Sequence, residues 1–166
     1  MKNVLVTGSN SYLGKRVAST IELSQLNIYH LSRSSADNKD IIQCDLTNKN
    51  DVKNLFNQIP FDIVIHCAGV VPKSSFHHHE EEYSKNNIMM DNILSFYSSN
   101  IIYCSSMTVY GADITGVIHE DEGFMPSNNY AKSKLQDEVL LTEASNPYYI
   151  LRLPGLFGAG RKSGII

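Results

Sequence analysis

The sequence predicts an α/β domain built on a doubly wound parallel sheet. Three observations carry this. Short β-branched and aliphatic runs alternate with longer, more polar stretches of helical period. The runs are continuously apolar at their centres, as strands covered on both faces must be. A glycine-containing turn separates the first run from the first helical stretch, where open α/β sheets bind ligands.

Taken in order, Val4-Leu5-Val6 is the first strand, Tyr12 to Leu23 the first helix and Ile28 to Leu31 the second strand. Ile41 to Gln43 is a short third strand, Asn50 to Gln58 a helix, and Asp62 to His66 a strand with an apolar centre. Glu80 to Tyr97 reads as a long helix, Ile101 to Cys104 as a strand, Asn129 to Glu143 as a helix and Tyr148 to Leu151 as the sixth strand. Met107 to Asn128 is the least regular stretch, with several glycines, Pro126 and the acids around Glu120; a loop of that length in a compact domain is expected to be functional or mobile.

With 166 residues, 42% of them hydrophobic, residues 1–166 are expected to bury one sizeable core as one domain. A net charge of -3, from 14 Lys+Arg and 17 Asp+Glu, offers no electrostatic footprint for a nucleic-acid partner. Cys44, Cys67 and Cys104 lie far apart, each in or beside an apolar run, the pattern of buried free thiols in a reducing compartment rather than of a disulfide framework. No signal peptide is recognisable at MKNVLVTG and no apolar run approaches membrane-spanning length, so the expectation is a soluble, cytoplasmic protein without a membrane partner.

The turn Thr7-Gly8-Ser9-Asn10-Ser11-Tyr12-Leu13-Gly14 enters the first helix, where a pyrophosphate would meet free backbone N–H groups and the positive end of the helix dipole. Gly8 permits the tight turn and Gly14 a close helix–strand approach, while Ser11 occupies the middle position of the GxxGxxG pattern and narrows the phosphate space. At the end of the second strand, Ser32-Arg33-Ser34-Ser35 replaces the usual acid. A guanidinium with hydroxyls suits a 2′-phosphate, which points to NADP over NAD.

Tyr130 and Lys134 are four residues apart on one predicted helix and therefore share a face. An ammonium beside a phenol favours the phenolate, so Tyr130 can exchange a proton with a substrate hydroxyl during hydride transfer. Ser106 follows a strand in Cys104-Ser105-Ser106-Met107-Thr108-Val109-Tyr110-Gly111, at the carboxyl edge of the sheet, and its hydroxyl is placed to hold the reacting oxygen.

Together these residues resemble an extended short-chain dehydrogenase/reductase of the NAD-dependent epimerase/dehydratase type, and the likeness runs nearly end to end. The TGxxGxxG turn is matched by Thr7 to Gly14, the adenine-holding acid by Asp45 beside Leu46, and the HxAA/G strand end by His66-Cys67-Ala68-Gly69. The helix asparagine near the active site is matched by Asn87, the SSxxVYG segment by Ser105 to Gly111, the YxxxK pair by Tyr130 and Lys134, and the LRxxxxxG segment by Leu151 to Gly158. The resemblance implies a Rossmann-type fold, a catalytic Ser106, Tyr130 and Lys134, and a cofactor lined by Cys67, Ala68, Gly69, Ser105 and the Pro154 region. It further implies a nucleotide-sugar substrate and a homodimer formed through the helices bearing Asn87 and Tyr130.

Departures narrow the expectation. Met107-Thr108 stands where dehydratases of the family carry an acid, which favours a 4-epimerase or ketoreductase; a threonine at 108 also replaces the cysteine of epimerase-reductases. Gly155 replaces an asparagine that contacts the sugar-nucleotide diphosphate. Family members continue into a substrate domain, and this chain ends at Ile166, so it is expected to bind cofactor without a substrate lid. Three readings follow: a fragment of such an enzyme, a non-catalytic dinucleotide-binding module, or a compact oxidoreductase on a small substrate. The His77-His78-His79-Glu80-Glu81-Glu82 run reads as a solvated helix start rather than a metal cluster. His66 reads as a hydrogen-bonded strand-end residue, and Tyr148-Tyr149 and Met89-Met90 as core or subunit-contact residues.

Overall fold

A computed structural model describes residues 1–21, 25–34, 41–72, 82–111, 115–121 and 123–161. Six strands, β1 (Lys2–Thr7), β2 (Leu26–Ser32), β3 (Ile41–Gln43), β4 (Ile63–His66), β5 (Asn100–Ser106) and β6 (Tyr148–Leu153), form one sheet in the order β3-β2-β1-β4-β5-β6. All five pairings are parallel, as the continuous apolar runs predict. Among the described residues four α-helices accompany them: α1 (Tyr12–Ile21), α2 (Lys49–Gln58), α3 (Ser84–Phe96) and α4 (Asn129–Glu143).

Several strands run past the apolar stretches that mark them in the sequence. β1 begins at Lys2 and ends at Thr7, and β5 continues through Ser105 and Ser106, paired with Arg152 and Leu153. The ladder needs only backbone groups, whereas hydrophobicity marks the covered centre. Helix α3 begins at Ser84 rather than Glu80, and the His77–Glu81 stretch lies outside the described residues. The helix beginning at Tyr12 is described to Ile21, with residues 22–24 outside the description.

Alternation along the strands divides the core between the two faces. Val4, Val6 and Ile65 pack on Ala18 of α1, while Leu5, Val64, Ile101 and Tyr103 join Met90 and Ile93 of α3 and Leu141 of α4. Met90 is therefore core. The Tyr148-Tyr149 pair is not, since the two rings are 40% and 68% exposed on the edge strand β6.

Two helices start where the sequence supplies an asparagine to accept first-turn N–H groups. Asn48 accepts from Asn50 and Asp51 at the start of α2, and Asn128 accepts from Ala131 at the start of α4, which sets Tyr130 in the first turn. The irregular stretch after β5 opens with a 3-10 turn, Met107–Tyr110, and part of it is pinned rather than loose. Met125 N–H donates to the Val109 carbonyl at 3.1 Å, and the rings of Tyr110 and Phe124 stack at 5.6 Å. The Arg152 guanidinium lies over both rings.

Strand order reverses between β1 and β4: the chain builds outward from β1 to β3, then returns to place β4 on the other side. A crevice opens at that switch, at the carboxyl ends of the strands.

Candidate active site

The crevice is a cavity of about 400 Å³, and its walls come from four strand ends. Gly8, Asn10 and Ser11 follow β1, Ser32, Arg33 and Ser34 end β2, Asp45, Leu46 and Thr47 follow β3, and Ala68 and Gly69 follow β4. Of the residues singled out in the sequence, Gly8, Ser11, Ser32, Arg33, Asp45, Leu46, Ala68 and Gly69 therefore meet around one space.

The turn after β1 is built on glycine for steric reasons. Gly8 has φ +65, and a Cβ there would stand 2.7 Å from the Ala68 Cα; a Cβ on Gly14 would stand 2.2 Å from the Gly8 carbonyl oxygen. Neither position admits a side chain without moving backbone. Ser11 lines the cavity, and its hydroxyl accepts the Gly14 N–H at 3.0 Å and so also caps α1. Tyr12 and Leu13 do not line the cavity, and the Tyr12 hydroxyl instead donates to the Phe157 carbonyl at 2.9 Å. That bond and the Arg16 to Ala159 bond tie the segment after β6 onto α1.

Opposite the glycine turn, Asp45 accepts from the Thr47 N–H at 2.9 Å and its hydroxyl at 2.7 Å. The Thr47 hydroxyl bond, followed by the nearby positive charges of Arg33 and Lys85, holds the Asp45 carboxyl below the usual carboxylate range despite partial burial. Arg33 is exposed at the rim. Lys85, Glu82 and Met89 of the α3 side complete this wall, and the sequence offers no motif that brings them to it.

Beyond Gly69 lies the second cluster. Lys134 is buried, 4% exposed, with its ammonium donating to the Cys104 carbonyl at 2.9 Å and lying 4.7 Å from the centre of the Tyr103 ring. A Cβ on Gly69 would meet the Lys134 nitrogen at 3.7 Å, so the ammonium faces the cavity wall. Burial lowers the Lys134 pKa, and the nearby Asp137 carboxylate opposes the shift. The Ser106 hydroxyl accepts from the Thr108 N–H at 3.3 Å and from the Thr108 hydroxyl at 3.0 Å. Burial raises the Tyr130 phenol pKa, and the neighbouring Ser106 hydroxyl, followed by the charge of Arg161, pulls it back toward ionisation. Ser106 at the end of β5 and Tyr130 in the first turn of α4 therefore lie near each other, on the side of the sheet where Lys134 is anchored.

Asparagine is where the sequence picks the wrong neighbour. Asn87 faces away, donating to Asp137 at 2.6 Å and to the Ser133 carbonyl at 2.9 Å, and so fastens α3 to α4. Asn86 instead accepts from the Val70 N–H at 2.7 Å and donates to the Val70 carbonyl, holding the loop that carries Gly69. Sequence spacing alone does not separate two adjacent asparagines on a helix that turns 100° per residue.

Three further expected lining residues lie outside the cavity wall. The Ser105 hydroxyl donates to the buried Glu138, which also receives Arg152 at 2.8 Å. Cys67 packs on the Val4, Val6 and Ala18 side of the sheet, away from the cavity. Pro154 is exposed.

His66 is wholly buried and hydrogen-bonded, as expected from its place at a strand end. The Thr7 hydroxyl accepts the Ala68 N–H at 3.1 Å and shares a hydrogen bond with His66 Nδ1 at 2.8 Å. Burial, followed by the Lys134 charge, lowers the His66 pKa to about 3. Between the unfolded value of 6.5 and about 3, the unfolded chain binds a proton that the folded chain does not, so stability present above pH 6.5 falls as pH falls. Urea unfolding at pH 7 and pH 4 is expected to show roughly 3 kcal/mol lost through this one group, and His66→Asn is expected to flatten that dependence by a similar amount.

No helix among the described residues is long and apolar enough to cross a membrane, and no cluster of three or more metal-ligating side chains occurs among them.

A parallel sheet that reverses at β1, entered through a glycine turn and followed by a neighbouring serine and tyrosine, defines a Rossmann-type fold of the extended short-chain dehydrogenase/reductase class. A profile of the NAD dependent epimerase/dehydratase family matches residues 4–166, and the chain belongs to that family. It is 29% identical to UDP-glucose 4-epimerase of Bacillus subtilis (strain 168), over 94% of this chain and 53% of the relative. Among solved structures, it is similar to the Bordetella bronchiseptica enzyme WbmH in complex with NAD+, with TM-score 0.85, 18% identity and coverage of 99% and 59% of the two chains. It is also similar to dTDP-4-dehydrorhamnose reductase of Bacillus anthracis str. Ames in complex with NADP, with TM-score 0.82, 25% identity and coverage of 98% and 57%. The chain spans about half the length of the curated relatives it matches.

Proposed function

We propose that this chain is the dinucleotide-binding part of an enzyme that moves hydride at a carbon of a nucleotide sugar, as a 4-epimerase or a ketoreductase. The observation that carries the reading is the Tyr130 phenol close to the Ser106 hydroxyl, on the sheet side where a buried Lys134 presents its ammonium to Gly69. The names of the relatives support the substrate class, since sugar-nucleotide epimerases and reductases recur among them.

The residues present fit a nicotinamide dinucleotide. Gly8 and Gly14 keep side chains out of the turn before α1, and the groove from Arg33 to Gly69 leads to Lys134. Gly8 and Ser11 would hold the pyrophosphate, Asp45 and Leu46 the adenine, and Lys134 the nicotinamide ribose. When bound, the dinucleotide supplies a hydride acceptor and donor.

The chain's own groups manage the proton. Thr108 orients the Ser106 hydroxyl, Ser106 holds the reacting oxygen against Tyr130, and Tyr130 takes or returns the proton of the substrate hydroxyl. Arg161 places positive charge near the phenol, which favours the phenolate. The absence of an acid at Met107-Thr108 is why elimination is not part of the proposal: no carboxyl stands there to move its proton. A homodimer through α3 and α4 belongs to the same reading, with Ile88 and Val139 left exposed on those helices.

Arg33 at the rim, with Ser34 and Asn10 beside it, favours NADP over NAD through a charge-assisted contact to the 2′-phosphate. Calorimetric titration with each oxidised dinucleotide tests the proposal directly: binding is expected, and tighter for NADP. Arg33→Ala is expected to weaken NADP about tenfold, an exposed-pair magnitude, and NAD by less than about twofold. Equal losses for both would refute the 2′-phosphate contact, and binding of neither would refute the dinucleotide reading.

A further inference from the structure

Cys67 and Cys104 occupy neighbouring places on adjacent strands. The β4–β5 register pairs His66 with Tyr103, and each cysteine is the next residue along. Their sulfurs stand 3.7 Å apart. Cys104 is buried and Cys67 only partly so, and neither thiol has a place in the proton chemistry above. Their backbones do touch the site: the Cys104 carbonyl holds Lys134, and Cys67 precedes Ala68, against which Gly8 is tightly packed.

We propose that Cys67 and Cys104 form an oxidisable dithiol which hydroperoxide closes to a disulfide, and that closure weakens the dinucleotide site; the second clause rests on the reading above. A disulfide needs the sulfurs at about 2.05 Å, so only a short approach separates the reduced pair from the bond. That approach draws together the carboxyl ends of β4 and β5. The displacement reaches Ala68, which is hydrogen-bonded to Thr7 and packed on the Gly8 turn, and the carbonyl that anchors Lys134.

The chemistry balances within the pair and one peroxide. Cys104 attacks first, because the hydrogen bond from the Cys67 thiol, followed by the Lys134 charge, lowers its pKa against the effect of burial. Its thiolate attacks one peroxide oxygen, the O–O bond breaks, and a sulfenic acid and hydroxide form; the hydroxide takes the proton Cys104 released. Cys67 then loses its proton and attacks the Cys104 sulfur, the S–O bond breaks, and a second water leaves. Two thiols are oxidised by two electrons, and one peroxide is reduced to two waters.

The test uses the reduced chain, treated with hydrogen peroxide in modest excess and then freed of it. Expected are an intact mass lower by two hydrogens, free thiols after denaturation reduced from three to one, and a proteolytic peptide linking Cys67 to Cys104. Dinucleotide affinity by calorimetry should fall at least about tenfold and return on treatment with dithiothreitol. In Cys104→Ser, whatever its starting affinity, peroxide should leave that affinity unchanged. Added oxygen atoms without a cross-link, a bridge to Cys44, or no change of mass would overturn the dithiol. A cross-link with unaltered affinity would overturn its coupling to the site. Absence of binding by the reduced chain would instead refute the dinucleotide reading, and the peptide result would still decide the cross-link.

Discussion

Replacing Gly14 with alanine is expected to destabilise the chain by about 3 kcal/mol and to abolish measurable dinucleotide binding. The added carbon would stand 2.2 Å from the Gly8 carbonyl oxygen and 2.9 Å from the Ser9 Cα, both backbone atoms, so no rotamer change relieves the clash. Helix α1 would have to move off the turn after β1, and Ser11 would lose the Gly14 N–H that it caps. Thermal unfolding is the direct measurement; in a chain of this size the expected fall in Tm is about 6–12 °C. Gly155→Ala is the matched control, because a Cβ there meets nothing within 4 Å. Its expected effect is within about 0.5 kcal/mol. If the two alanine variants unfolded alike, the close approach of α1 to β1 would not be what Gly14 is for.

In the enzyme of which the proposal above makes this chain a part, Tyr130→Phe is expected to lower dinucleotide-linked carbonyl reduction by about 10²- to 10⁴-fold, the range of one positioned acid–base group. The ring remains, with its edge contact to Tyr83 at 5.8 Å, so dinucleotide affinity should change by less than about twofold. A proportional loss of affinity and rate would mean that the phenol binds rather than transfers a proton. The pH dependence adds a second reading. Burial raises the phenol pKa, so its neutral form is favoured in the folded chain, and the phenolate needed for alcohol oxidation accumulates only as pH rises. Oxidation should therefore climb with pH and reduction decline. Ser106→Ala removes the neighbouring hydroxyl that opposes the shift, so both limbs should move to higher pH; in Tyr130→Phe they should vanish.

The same pKa direction bears on stability. With the folded Tyr130 above its unfolded value of 10.0, its contribution is complete below pH 10 and is lost as pH rises through the folded value. Its sign is thus opposite to that of His66, whose contribution is lost on acidification.

Much of the site was legible because its chemistry is local. A turn that must hold glycine at 8 and 14, and a tyrosine four residues before a lysine, can each be read within one short segment. The same holds for Arg33 at the end of β2 and Asp45 after β3, both of which line the groove. Residues that reach the site through packing were not legible. Lys85, Glu82 and Met89 come to the groove because α3 lies against β1 and β4, and nothing in their own segment announces it. The sequence reading names Asn87 alone, because only helical phase decides that Asn86 faces Val70 while Asn87 faces Asp137. Arg152 and Glu138 form a partly buried ion pair that also takes Ser105 and holds Tyr110, a network joining β5, β6 and α4 that no linear spacing displays.

From the order of its residues alone came the α/β class, the six parallel strands and the proposed reacting groups, since strand burial, turn sterics and acid–base character are properties of short segments. Tertiary structure decided which side chains share a space. It turned Ser11 into a helix cap, set Cys67 beside Cys104, and aimed the Lys134 ammonium at Gly69. The physical reason is that these contacts depend on strand register and helix phase, and both are settled only when the two faces of the sheet are packed.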